Sequence, residues 1–197
     1  RPFAPNVEPE TAEVGGVMGR LYAPGDYPAV LLVPGATPEG VTDARVNTVA
    51  RALARARRIV FIPEMDLYRE RFTKADLERI VAAVGGLAER SGQSVAVLGF
   101  SYGGSFALVA AADPRMEGRL SRVATLGAYY DLEGVIQAVT TGGSTVDDRF
   151  FPWEGHPIAK DVLAAGAAKL LPEEEQEPLL AALDGRLDPE HLAPGAL

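Results

Sequence analysis

The chain contains no cysteine. That excludes a disulfide framework, a thiol nucleophile and any cysteine-based zinc site. It does not fix the compartment, because a cysteine-free chain suits either redox environment. A cytoplasmic setting is slightly favoured. A secreted or anchored form stays open, since the sequence starts at Arg1 rather than at a methionine. Positive charge is also scarce: 19 Lys and Arg stand against 27 Asp and Glu, a formal net charge of −8. Phosphate contacts need a basic face, so nucleic acid is not an expected partner. Arginines do gather at Arg51, Arg55, Arg57 and Arg58. Arg51 and Arg55 are four apart on a predicted helix and read as a solvated face. No apolar run approaches the ~20 residues of a membrane span. Only two histidines occur, His156 and His191.

What remains is a 197-residue chain, 47% hydrophobic and 23% charged, enough for an α/β domain with a sizeable core. Residues 1–9 carry three prolines and read as an extended leader. Residues 14–22 read as a strand broken by glycines, a hairpin at a sheet edge. Residues 29–33 are unbroken apolar, as a buried parallel strand should be. Apolar residues recur at the helical period over 43–56. A strand follows at 58–62, closed by Pro63. Thr73 then reads as an N-cap, with Asp76 in the capping-box position, before a helix carrying Leu77, Ile80, Val81, Val84 and Leu87 on one face. A strand at 94–98, a helix at 105–112 and a sixth strand at 121–126 complete the series. Strand–helix alternation of this kind predicts a doubly wound, mostly parallel sheet. After Leu126 no convincing strand is legible. Short helices are expected near 132–139, 158–171 and 172–183, with 140–148 as a flexible polar loop.

Between the fifth strand and its helix stands Gly99-Phe100-Ser101-Tyr102-Gly103-Gly104, which fits G-x-S-x-G. A serine on a sharp strand-to-helix turn strains the backbone and leaves little room for a Cβ two positions to either side. The helix N-terminus aims N–H groups at charge developing near that serine. A dinucleotide fingerprint would need glycine where Ser101 stands, and no P-loop lysine is present. No cofactor and no metal are therefore expected. The segment resembles the nucleophile elbow of the α/β-hydrolase superfamily, and especially its dienelactone-hydrolase and prolyl-oligopeptidase branches, where Ser-Tyr-Gly-Gly is common. That resemblance implies Ser101 as nucleophile. It also implies an oxyanion hole formed by the backbone N–H groups of Tyr102 and Ala36, with Val33-Pro34-Gly35-Ala36 in the place of the usual His-Gly loop. It further implies an α/β-hydrolase core over 1–127 and a helical cap or lid over 128–197.

The rest of a catalytic triad is not in evidence. A serine hydroxyl is a poor nucleophile without a base. The superfamily order is Ser, then acid, then His. His156 lies in a Pro- and aromatic-rich loop, and His191 follows the helix start Asp188-Pro189. Asp131 follows the sixth strand, where a minority of the superfamily carries the acid, but it also reads as a helix N-cap. Asp147 and Asp148 read as loop residues. Acid and histidine are therefore expected outside this chain, in a C-terminal remainder completing the sheet, with Asp131 and His156 as weak in-chain candidates. Tyr129 and Tyr130 are candidates for the acyl pocket; Phe150, Phe151 and Trp153 for a lid. The favoured function is a serine hydrolase of the carboxylester type acting on a small ester or acyl substrate. A peptidase of the same superfamily and a non-catalytic binding scaffold are the rivals.

Overall fold

The computed structural model describes residues 7–37, 39–66, 73–129, 131–153, 160, 163–164, 168 and 171–183. The chain divides into two compact units, Arg1–Tyr130 and Asp131–Leu197.

The first unit is built on a six-stranded sheet. Its strands are β1 (Glu10–Val14), β2 (Val17–Tyr22), β3 (Ala29–Val33), β4 (Ile59–Pro63), β5 (Val95–Phe100) and β6 (Leu120–Leu126). Their spatial order is β1-β2-β4-β3-β5-β6. β1 and β2 form an antiparallel edge hairpin, as expected, but its first strand starts at Glu10, ahead of the expected 14–22; β2 runs antiparallel to β4. β3, β4, β5 and β6 are mutually parallel. Gly15 and Gly16 make the hairpin turn with φ of 61° and 78°, the left-handed pair a tight two-residue turn requires. Every residue of β3 and β4 is buried. Both faces are covered, which is why these strands read as solid apolar runs rather than alternating ones.

Three helices cover the sheet: α1 (Ala44–Arg55), α2 (Lys74–Ser91) and α3 (Ser101–Ala111). Ala50 and Ala54 of α1 pack with Tyr22, Leu32, Val60 and Ile62 in one fully buried cluster. Side chains alternate across a strand, so Leu21, Leu31 and Phe61 face the other side, also fully buried. α2 contributes buried Ile80, Val81, Val84 and Leu87 from the helix face read from the sequence; Leu77, the first residue of that face, is half-buried. Thr73 is its N-cap residue, yet the capping box does not form. The Thr73 hydroxyl donates to Asp66 Oδ2 (3.2 Å), and Asp76 Oδ1 accepts from the Asp66 N–H (2.9 Å) and from Arg79 (2.6 Å). A nearby acid and a guanidinium outcompete the local cap.

The second unit corrects two expectations: that no strand follows Leu126, and that 140–148 is a flexible loop. α4 (Leu132–Thr141) is followed by strands β7 (Gly143–Val146) and β8 (Arg149–Pro152), before α5 (Glu173–Leu183). The segment expected to be a flexible loop is thus the end of a helix and a two-stranded antiparallel hairpin. Asp147 and Asp148 form its turn with φ of 48° and 59°. Aspartate tolerates the left-handed region through local side-chain bonding, but an Asp-Asp pair lacks the Asn-Gly signature that announces such turns. Among the described residues no helix is long and apolar enough to cross a membrane.

Candidate active site

β5 runs directly into α3, with no loop between them. Helix α3 therefore opens at Ser101 itself, four residues before the sequence placed it. Phe100 is extended (φ −119°, ψ 138°) and Ser101 turns to φ +50°. A non-glycine residue in that left-handed region costs on the order of 1–2 kcal/mol and persists only where packing enforces it. Here the packing is visible. A Cβ on Gly99 would lie 2.5 Å from the Gly104 Cα, and one on Gly103 would lie 2.0 Å from the Pro34 carbonyl oxygen. Helix, strand and the loop after β3 thus touch backbone to backbone, and the serine takes up the strain at the corner. Ser101 is exposed, while Tyr102, Gly103 and Gly104 behind it are buried. Ser101 and Tyr102 open the helix, where amide N–H groups gather and the helix dipole is positive.

The loop after β3 reaches the same point. A Cβ on Gly35 would stand 2.9 Å from the Ser101 Cβ and 3.4 Å from its Oγ. Any side chain at 35 would press on the hydroxyl, so glycine leaves the space beside Oγ open. Ala36 follows immediately, half-buried. The fold therefore brings Ser101, Tyr102 and the Gly35-Ala36 segment together.

The chain leaving β6 forms a third side. Gly127 has φ +70°, and a Cβ there would lie 3.9 Å from the Ser101 nitrogen. Two residues on, Tyr129 is tied to α3 by one hydroxyl. Ser105 Oγ donates to the Tyr129 carbonyl (2.9 Å) and accepts from the Tyr129 N–H (3.0 Å). That bond holds the Tyr129 ring edge-on to the Tyr102 ring, centroids 5.2 Å apart. Burial pushes both phenols above their ordinary range, and Tyr102 adds to the effect on Tyr129. Both rings are therefore neutral, half-apolar surfaces at neutral pH.

The other candidates stand differently. Asp131 caps α4, its Oδ1 accepting from the Gly134 N–H at 3.0 Å, as the capping alternative required. Asp147 and Asp148 turn the β7–β8 hairpin. His156, His191 and Tyr130 lie outside the described residues. Phe150, Phe151 and Trp153 are exposed. The first two lie on β8 rather than in a loop, and the Arg149 guanidinium sits 5.6 Å from the Phe151 ring centre.

Three side chains near this point escaped the sequence reading: Ser105, Thr37 and Asp43. The signal for Asp43 was present, because an aspartate just before a helical period is an N-cap. It caps α1, accepting from the Arg45 and Val46 N–H groups.

No family model matches the chain, and no curated protein matches it. Solved structures do. A hormone-sensitive lipase from a metagenome library superposes with a TM-score of 0.53 at 20% identity, over 67% of this chain and 48% of that one. Dienelactone hydrolase from Anabaena variabilis gives 0.51 at 25% identity, over 63% and 65%. The thermophilic carboxylesterase EstE1, from a metagenomic library, gives 0.51 at 19%, over 68% and 53%. The matched part thus spans about half the length of the lipase and of the carboxylesterase. These likenesses establish an α/β-hydrolase fold.

Proposed function

We propose that this chain is a serine hydrolase of the carboxylester type, working through an acyl-enzyme on Ser101. One observation carries the proposal: Ser101 is held at φ +50° between β5 and α3, with Gly35 of the post-β3 loop against it. A structural glycine turn has no reason to put a serine, rather than one of its glycines, in the strained conformation and leave that hydroxyl exposed. Ser101 Oγ attacks the acyl carbon. The carbonyl electron pair moves onto oxygen, and the Tyr102 and Ala36 N–H groups bind the resulting oxyanion, the interaction worth most in such reactions. The Oγ proton passes through a general base to the departing alcohol. Water then repeats the sequence and frees the acid. Tyr129 and Tyr102 supply an apolar wall for a small ester. The lipase and carboxylesterase among the structural neighbours support a substrate of that class. We read 128–197 as the cap segment of this hydrolase.

A binding scaffold without catalysis is the second reading. It is favoured by the commitment of Asp131, the in-chain acid candidate, to capping α4. Turnover of p-nitrophenyl acetate by the full-length protein separates the two. The hydrolase turns it over faster than Ser101→Ala does. Rates equal in the two proteins favour the scaffold. Loss of turnover in His156→Ala or His191→Ala identifies the base.

A further inference from the structure

Four polar side chains lie buried among the described residues without a place in the chemistry above: Thr37, Asp43, Asn47 and Asp76. Three of them form one network behind the post-β3 loop. Asp43 has its side chain 3% exposed and its carboxylate surrounded. Oδ1 accepts from the Arg45 and Val46 backbone N–H groups (2.8 and 3.3 Å) and from Arg45 Nε (3.2 Å). Oδ2 accepts from Arg45 Nη2 (2.6 Å) and from the Thr37 hydroxyl (2.7 Å). Asn47 fastens the frame, donating to the Asp43 and Val41 carbonyls (2.7 and 2.9 Å) and accepting from the Tyr22 hydroxyl on β2.

We propose that Asp43, acting through the Thr37 hydroxyl, is a positioning residue that holds the 34–37 loop, and with it the Ala36 amide, in place for an oxyanion formed at Ser101. The proposal rests on the hydrolase reading of Ser101. An N-cap needs one carboxylate oxygen for the helix amides, and Oδ1 supplies it. Oδ2 is turned to the loop instead. The cap thereby transmits the fixed position of α1, packed against the sheet through Ala50 and Ala54, to the residue next to the donor. The loop has a second fastening of its own. The Gly40 N–H donates to the Thr37 carbonyl at 3.0 Å, so Thr37 is gripped at both its carbonyl and its hydroxyl. The Thr37 hydroxyl also faces Glu39 Oε2 at 2.9 Å, an exposed acceptor that cannot replace a buried one bonded to a fixed helix. Asp43 is matched to the task electrostatically. The Arg45 guanidinium and the hydrogen bonds around it hold its carboxyl well below the usual carboxylate range, so it stays an acceptor at any working pH. A preorganised donor is worth most when it does not have to be moved at the moment of reaction, and a displacement of about 1 Å can cost ~100-fold in rate.

The test uses the full chain and a fluorophosphonate, whose reaction at Ser101 also builds charge on an oxygen in the donor site. Thr37→Val is isosteric and removes only the hydroxyl; Thr37→Ser restores it. The expected result is a maximal labelling rate reduced ~10–100-fold in Thr37→Val, with the half-saturating probe concentration within twofold of wild type, and recovery in Thr37→Ser. Amide exchange at Ala36 should be faster in Thr37→Val and normal in Thr37→Ser, while exchange across β5 is unchanged and shows that the sheet is intact. An unchanged maximal rate in Thr37→Val, with Ser101 labelled normally in wild type, overturns the clamp alone. A changed half-saturating concentration with an unchanged maximal rate does the same. Wild-type labelling no greater than that of Ser101→Ala overturns the hydrolase reading, and the clamp with it.

Discussion

Gly35 and Ser101 are in direct contact although 66 positions apart: a single methyl on Gly35 would come within 2.9 Å of the Ser101 Cβ. Two parallel strands, β3 and β5, lie side by side with Val33 opposite Gly99. Their carboxyl ends therefore deliver the loop and the elbow to one spot, as open parallel sheets place their sites. Gly35→Ala should cost about 1–3 kcal/mol of thermal stability, because the added Cβ also meets the Phe100 carbonyl oxygen at 3.2 Å and the fastened loop must shift. It should cut Ser101 reactivity at least tenfold, because what yields is the donor loop. Measured melting and fluorophosphonate labelling rates check both halves.

Gly103→Ala should cost the fold more. Its Cβ would meet the Pro34 carbonyl oxygen at 2.0 Å and the Val33 oxygen at 2.7 Å. Both are backbone atoms beside a central strand, with no side chain to move aside. Destabilisation of ~3 kcal/mol or more, or failure to fold, is the expected outcome in urea denaturation.

The left-handed turn at Ser101 predicts a stability effect independent of any chemistry. Ser101→Gly relieves a conformation that costs a non-glycine residue on the order of 1 kcal/mol, whereas Ser101→Ala retains the strain. Ser101→Gly should therefore be more stable than Ser101→Ala in the same denaturant series by about that amount. Equal midpoints would mean the elbow is unstrained.

Acid should reveal Asp43. Its folded-state carboxyl is held below the unfolded value, chiefly by the Arg45 guanidinium and then by the Thr37 hydroxyl and the α1 amides, against the opposing effect of burial. Such a group contributes stability that is present above its unfolded pKa of ~3.9 and is lost as pH falls through that value towards the folded one. Asp43→Asn keeps a capping oxygen but does not titrate. Its stability should fall less steeply than wild type between pH ~5 and ~2, measured by chemical denaturation at each pH.

Much of the first unit was legible because its signals are local. The apolar run at 29–33 became β3 with the same bounds, and the periodicity after Asp43 became α1 with Asp43 as cap. Signals failed where tertiary contact overrides propensity. Gly103 and Gly104 look like a turn, yet they lie inside α3, because only residues without side chains let that helix touch Pro34 and Thr125. The Thr73 hydroxyl left its own helix for Asp66. The β7–β8 hairpin was hidden by a turn of two aspartates. At the site, the motif pointed to Ser101, and the resemblance it carries implied Tyr102 and Ala36. The Gly35 contact, the Ser105 clasp on Tyr129 and the Thr37–Asp43 bond each need a partner that only folding brings near.

The central claim is that Ser101 is an activated nucleophile. Incubating the full-length protein with a fluorophosphonate and mapping the adduct by peptide mass spectrometry tests it most directly. The account predicts one phosphonyl group, on Ser101, blocked by prior denaturation and absent from Ser101→Ala. No adduct on the folded protein, or an adduct on another residue that survives Ser101→Ala, would contradict it.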